Sequence, residues 1–179
     1  MSDPFEMLGV EPRFDLDLDA IERRHRDLSR ALHPDRYSGA PAAERRLALS
    51  RAIDVNEAFR VLKDPARRAE ALLRRAGVAV GETGEPKPPP ALLLEMMELR
   101  EELAAVAHAK DLAAIGKLGE GMRARREDVE RRLGVALAGV DPGASDLQKV
   151  ASALLLLGEL RYIRRFLDEV SAIEDELAP

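Results

Sequence analysis

Apolar positions recur at helical spacing along most of the chain. From Asp17 onward, Leu18, Ile21, His25, Leu28 and Leu32 follow one another at intervals of three and four, which lines them along one side of a helix. Ahead of it, a short amphipathic segment over 5–8 stops at Gly9, a residue suited to a helix C-terminus. Pro34 removes a backbone donor and disfavours helical geometry at His33, so the second helix ends near Leu32 and His33-Pro34-Asp35 is expected in a loop. A third helix is expected from about Pro41, carrying Leu49, Ile53, Asn56, Phe59 and Leu62 as far as Asp64-Pro65. A fourth over about 65–76 stops at Gly77.

The pattern then breaks. Residues 77–90 are rich in Gly and Pro, with Pro88-Pro89-Pro90 stiffening the end and Pro90 suited to the first turn of the next helix. Beyond this linker the spacing predicts helices over 90–108, 111–137 and about 146–177. Gly116, Gly119 and Gly121 each weaken the middle one by roughly 1 kcal/mol relative to Ala. Asp141-Pro142-Gly143 separates the last two, with Ser145 or Asp146 as the cap. The expected fold is all-α, with a helical hairpin domain over 1–76, a linker over 77–90 and a three-helix bundle over 91–179.

Composition sharpens this picture without changing it. Aromatics are 3% of residues and Trp is absent, as helices tolerate better than sheets do. A net charge of −5 gives no overall basic field for nucleic acid, and no apolar run approaches the length that spans a bilayer. The first residues lack the pattern of a signal or transit peptide, so a bacterial-type cytoplasm is the expected compartment. There is no cysteine, hence no disulfide, thiolate nucleophile or thiolate ligand, and three scattered histidines do not suggest a metal site. No cofactor and no catalytic residue is expected.

His33-Pro34-Asp35 alone is a helix terminator followed by a turn. Its setting says more. Asp3-Pro4-Phe5-Glu6-Met7-Leu8-Gly9-Val10 resembles the opening of J-domains, and Val55-Asn56-Glu57-Ala58-Phe59-Arg60-Val61-Leu62-Lys63-Asp64-Pro65 resembles the end of their third helix. The resemblance implies a helical hairpin with the tripeptide at its tip, where it meets a DnaK-class ATPase. Independently, Arg23, Arg26 and Arg30 share a face of the second helix, beside Arg24 and near Arg36, interrupted by Glu22 and Asp27. Such a row steers toward an acidic partner; a merely solvated surface is the alternative. His25 stands in the apolar stripe where J-domains usually place an aromatic, and is expected to pack within the core.

In the fifth helix, Leu92, Met96, Leu99, Leu103 and Val106 form the seam that a bundle buries. At about 100° per residue, Met97 lies away from this seam and Leu94 nearly opposite it, with Glu98 and Glu101 on the same outward side and Leu93 between the faces. An apolar group ringed by carboxylates with no core to fill suits recognition; burial against the first domain or in a wider core is the alternative. In the last helix Leu156, Leu160, Ile163, Leu167 and Val170 form the matching seam. Tyr162 points away from it beside Leu155, and Phe166 belongs to either side.

The segment Leu92-Leu93-Leu94-Glu95-Met96-Met97-Glu98-Leu99-Arg100-Glu101-Glu102-Leu103, with Leu160-Arg161-Tyr162, resembles the HscB family. That resemblance implies a co-chaperone whose bundle docks an IscU-type iron–sulfur scaffold through Leu93, Leu94, Met97, Glu98, Glu101 and Tyr162. It further implies a J-domain that stimulates an HscA-type ATPase through His33, Pro34, Asp35 and the basic face. A general adaptor delivering unfolded clients to a DnaK-class chaperone is the competing expectation. An enzyme using His33 and Asp35 as an acid–base pair is a weaker one, since the sequence offers no nucleophile and no phosphate-binding loop.

Overall fold

The computed structural model describes residues 3–81, 87–138, 140 and 146–178. Asp141-Pro142-Gly143, the Ser145 cap and the middle of the Gly/Pro linker lie outside the described residues. Seven α-helices and no strand are present among those described: α1 (Pro4–Leu8), α2 (Leu18–Ala31), α3 (Ala42–Lys63), α4 (Pro65–Arg75), α5 (Pro90–His108), α6 (Leu112–Leu137) and α7 (Leu147–Leu177). None is long and apolar enough to cross a membrane. By spatial proximity the chain divides into two compact units, Met1–Ala79 with Leu137–Ser145, and Val80–Ala136 with Asp146–Pro179.

Local chemistry sets the helix ends. Aspartates at the N-caps of α1, α2, α4 and α7 accept from the backbone N–H groups of Phe5, Ala20, Arg67 and Gln148, each a donor that the first turn leaves without a helical partner. Gly9 closes α1 at φ 60°, and the side chain of Arg24 passes so near that a Cβ there would stand 2.6 Å from its Nη2.

In the first unit Phe5, Leu8, Ile21, Leu62 and Leu73 are fully buried, and α3 turns Ala48, Val55, Ala58 and Leu62 inward. The expected α3 set is corrected here: Leu49 and Ile53 are exposed, as is Leu47, and only Leu62 of the expected residues is fully buried. Small residues at Ala48 and Ala58 let neighbouring helices approach α3 closely, whereas the bulkier Leu49 and Ile53 fall on the opposite side of its turn. Leu18 is also exposed, so the α2 stripe buries mainly from Ile21 onward. His25 stacks on Phe59 with ring centroids 4.1 Å apart, and its Nε2 lies 2.8 Å from Asn56 Oδ1. The histidine thus fills an aromatic's place between α2 and α3 while satisfying a polar neighbour. Arg68 is the buried cation of this unit. It donates to the Leu62 carbonyl over 2.7 Å, and its guanidinium carbon sits 4.8 Å from the centre of the Phe14 ring.

The second unit is a bundle of α5, α6 and α7. Leu92, Met96 and Leu103 from α5 meet Ile115, Val129 and Leu133 from α6 and Leu157, Leu160 and Ile163 from α7 in its core. Phe166 is 1% exposed, which assigns it to the core. Gly119 has a packing reason: a Cβ there would stand 3.2 Å from Val170 Cγ1, so its absence lets α6 approach α7 closely. Gly116 and Gly121 show no such neighbour, and α6 runs unbroken through all three.

Candidate functional site

Two exposed surfaces carry the residues singled out from the sequence, one on each unit. The first is the connection after α2. His33, Pro34 and Asp35 lie in the connection between α2 and α3, as expected, and within it Pro34–Tyr37 is a turn of 3-10 helix with His33 as its N-cap. The reason is local. Pro34 presets the φ of the first position, and His33 Nδ1 accepts from the backbone N–H of Asp35 over 3.3 Å. Tyr37 donates its hydroxyl to the Ala31 carbonyl at 3.4 Å and Ser38 Oγ donates to the Asp35 carbonyl at 3.0 Å, tying the turn to α2 and to itself. The tripeptide therefore stands on a hydrogen-bonded turn rather than a slack connection.

The chemistry of this tip follows from its hydrogen bonds. With Nδ1 engaged as an acceptor, the neutral imidazole carries its proton on Nε2, away from the turn. Asp35 Oδ2 lies 3.4 Å from Nδ1, and the side chains of His33 and Asp35 are 58% and 89% exposed. A partner therefore meets one N–H donor and one carboxylate held close together. Below the tip, Arg23, Arg26 and Arg30 are all exposed and each has a carboxylate at 3.8 Å: Asp17, Glu22 and Asp27 in turn. These loose pairs at the surface contribute little stability and exchange readily for a partner's acids. Arg24 differs, because its Nε donates to the Leu8 carbonyl over 3.0 Å and it serves the fold. The Arg36 side chain is exposed and makes no ion pair among the described residues. Glu22 has a second partner in Lys63 at 3.0 Å, whose hydrogen bond and charge hold its carboxyl below the usual range.

The second surface lies on α5 and α7. Leu94 and Met97 are 58% and 60% exposed, with Leu93 at the edge of the same face and Leu155 exposed on α7. Glu98 and Glu101 are exposed beside them, and neither has an ion-pair partner among the described residues. Burial in a wider core is thereby excluded for Leu94 and Met97 within this unit. Tyr162 is half-buried rather than fully outward, with the Arg165 guanidinium carbon 5.6 Å from its ring centre. Its neighbours on the same side of α7 are Glu159, Phe166 and Glu169, of which Glu169 faces α5 and Glu159 faces Arg125 of α6. Glu169 pairs with Arg100 at 3.3 Å, and Glu159 shares Arg125 with Glu95. Tyr162 therefore sits along the edge where α7 runs beside α5.

Arg125 was not foreseen from the sequence. Its Nε and Nη2 both reach Glu159 Oε1 at 2.9 Å, and its Nη1 reaches Glu95 Oε1 at 2.5 Å. The hydrogen bond to Glu95 is the larger cause that holds its already high pKa higher still, against the opposing effect of partial burial. No periodicity announces such a residue, because its partners lie about thirty positions away in either direction. No group of His, Cys, Asp or Glu that could hold a metal ion occurs among the described residues.

Comparison with known proteins bears on both surfaces. A DnaJ domain model matches residues 3–71, and a model described as the HSCB C-terminal oligomerisation domain matches residues 88–171. The chain is 31% identical to a co-chaperone protein HscB homolog of Vibrio vulnificus over 97% of both chains. It is 34% identical to the homolog of Burkholderia cenocepacia over 94% of this chain and 91% of that one. The chain belongs to the HscB family of co-chaperones. Among solved structures, HscB from Vibrio cholerae superposes with a TM-score of 0.84 at 31% identity, covering 98% of this chain and 99% of that one. Human HscB shares the fold with a TM-score of 0.83 at 22% identity, over 96% and 82% of the two chains. Within this HscB-family chain the J-domain match contains the His33 turn and the α2 arginines, and the C-terminal match contains every residue of the apolar surface.

Proposed function

We propose that this HscB-family co-chaperone brings an IscU-type iron–sulfur scaffold to an HscA-type ATPase of the DnaK class and stimulates ATP hydrolysis there. The reading rests on one observation: a hydrogen-bonded polar turn beside exposed arginines, and an exposed apolar patch beside carboxylates without ion-pair partners among the described residues, occur on separate units of one chain. The two surfaces suit different partners. Residues 1–76 act as the J-domain, 77–90 as the connection and 91–179 as the scaffold-binding bundle, in the cytoplasm.

The J-domain contributes orientation and a signal, not a reacting group. Arg23, Arg26, Arg30 and Arg36 draw an acidic face of the ATPase into register, raising the association rate more than the final affinity. His33 then presents its Nε2–H and Asp35 its carboxylate, and Pro34 holds the two in fixed relation. Bond cleavage in ATP belongs to the ATPase. The co-chaperone acts by binding one conformation of that enzyme better than another, since only a differential affinity shifts a population.

On the bundle, Leu93, Leu94, Met97 and Tyr162 supply apolar area that a scaffold covers, while Glu98 and Glu101 favour basic groups at its rim. The scaffold carries the cluster as cargo and hydrolysis secures the ATPase's grip on it, aiding cluster transfer. Titration calorimetry of the chain against a cysteine-bearing scaffold, paired with ATPase assays with and without that scaffold, tests the reading. Saturable scaffold binding and a further rise in hydrolysis when scaffold is added are expected. Stimulation by many unrelated unfolded peptides, with no scaffold binding, would reject it in favour of a general adaptor.

A further inference from the structure

A patch made by two helices works only if the helices keep their spacing, and the apolar seams alone do not fix it. Ridges of Leu and Met tolerate sliding and rotation by small repacking. Arg125 adds a directional constraint. Its two donor edges point to different helices: the Nε and Nη2 edge holds Glu159 of α7, and the Nη1 side holds Glu95 of α5. Glu95 immediately follows Leu94 and lies two residues before Met97; Glu159 lies one turn before Tyr162. The guanidinium is planar, so distance and angle between its two carboxylates are set together.

We propose that Arg125 is the positioning residue of the scaffold-binding face, fixing α5 against α7 so that Leu94, Met97 and Tyr162 are presented as one surface. This rests on the scaffold-binding reading above. Arg125 itself is partly covered, with its side chain 27% exposed, and it lies on α6, which contributes no residue to the proposed patch. Its role is therefore separable from contact with the partner. Glu159 is the more covered of the two acids, with its side chain 16% exposed, and a substitution that discards the cation leaves that largely covered carboxylate without it.

The informative variant is Arg125→Lys. An ammonium keeps the charge that Glu159 requires but lacks the rigid fork that grips two carboxylates at a set angle. Thermal unfolding is expected to stay within a few degrees of the parent, while affinity for the scaffold by calorimetry falls about tenfold. Glu95→Gln, which loosens only the α5 arm, should weaken binding in the same direction and keep the fold. A second measurement needs no partner. The chain has no cysteine, so Ala91→Cys and Ala151→Cys, both at exposed positions outside the patch, accept spin labels on α5 and α7 alone. The distance distribution between the labels should broaden in Arg125→Lys.

An unchanged distribution, or parent-like scaffold affinity in either folded variant, would overturn the proposal. Should affinity fall only as far as the fold melts, Arg125 is a stabilising residue and nothing more, which also overturns it. If the parent chain itself binds no scaffold, the function proposed above fails, and the label distances still decide whether Arg125 sets the helix geometry.

Discussion

The tip of the hairpin and the edge of the bundle, the two surfaces proposed for recognition, are built in opposite ways. At the tip the groups offered, those of His33 and Asp35, are polar, lie within three residues of chain, and are held by bonds from those residues and their neighbours to the backbone. On the bundle the determinants are mostly apolar, come from two helices far apart in sequence, and are held by ion pairs that cross between helices. A local device tolerates changes elsewhere in the fold. A composite surface depends on the packing beneath it, here on the ion pairs that join α5, α6 and α7.

This contrast is best broken by removing one surface at a time. The largest effect is expected from His33→Gln: stimulation of the ATPase should disappear while helical circular dichroism and scaffold binding stay as in the parent. The side chain is exposed, so the core has little stake in it. Full stimulation by the folded variant would remove the tripeptide from the mechanism.

Truncation of Leu94, Met97 and Tyr162 together to Ala is the converse experiment. Each large apolar side chain buried at a contact contributes roughly 1.5–3 kcal/mol, so scaffold affinity measured by calorimetry should fall by several orders of magnitude, though such contributions do not add strictly. Basal stimulation of the ATPase should persist. Because Tyr162 is half-buried, the melting temperature should drop modestly, and a collapse of the fold would move these residues from the surface to the core.

Reversing charge at Arg26 and Arg30 to Glu should slow association with the ATPase and flatten its dependence on salt, both read by stopped-flow kinetics. Screening acts over roughly 10 Å at 0.1 M salt, the scale on which exposed arginines steer a partner. Rates and salt slope equal to the parent's would leave the arginines as a solvated surface.

The smallest effect concerns the tie between the two long hairpin helices. Lys63 and Arg26 hold Glu22 in its charged form, so its folded pKa lies below the ordinary 4.5. A depressed carboxyl contributes stability above its unfolded pKa and loses it as pH falls through the folded value. Glu22→Gln should therefore leave a slightly shallower loss of melting temperature below pH 4.5 and a barely altered value at neutrality. An equal acid slope in both proteins would show that the contact is too solvated to register.

Helix boundaries were legible because their causes are local: Asp17, Asp64 and Asp146 cap, Pro34, Pro65 and Pro90 forbid or begin, and Gly9 terminates, each through its own backbone chemistry. The outward placement of Leu94 and Met97 was legible for the same reason, since helical phase alone sets them apart from the seam of Leu92, Met96 and Leu103. The 3-10 turn was not, because proline marks an ending without saying what geometry the next bonds will choose.

What the sequence by itself determined was the order of the helices, the tripeptide between two of them and the family likeness of both halves. Tertiary structure alone decided which helical faces were covered. Phase along α3 left Leu49 and Ile53 as credible core residues until the neighbours of Ala48, Val55 and Ala58 were in place, and phase along α7 could not choose a side for Phe166. Nor could it reveal that one guanidinium on α6 joins Glu95 to Glu159. Periodicity reports how residues are arranged around their own helix; which neighbour that helix meets depends on contacts between residues distant in the chain, and these exist only after folding.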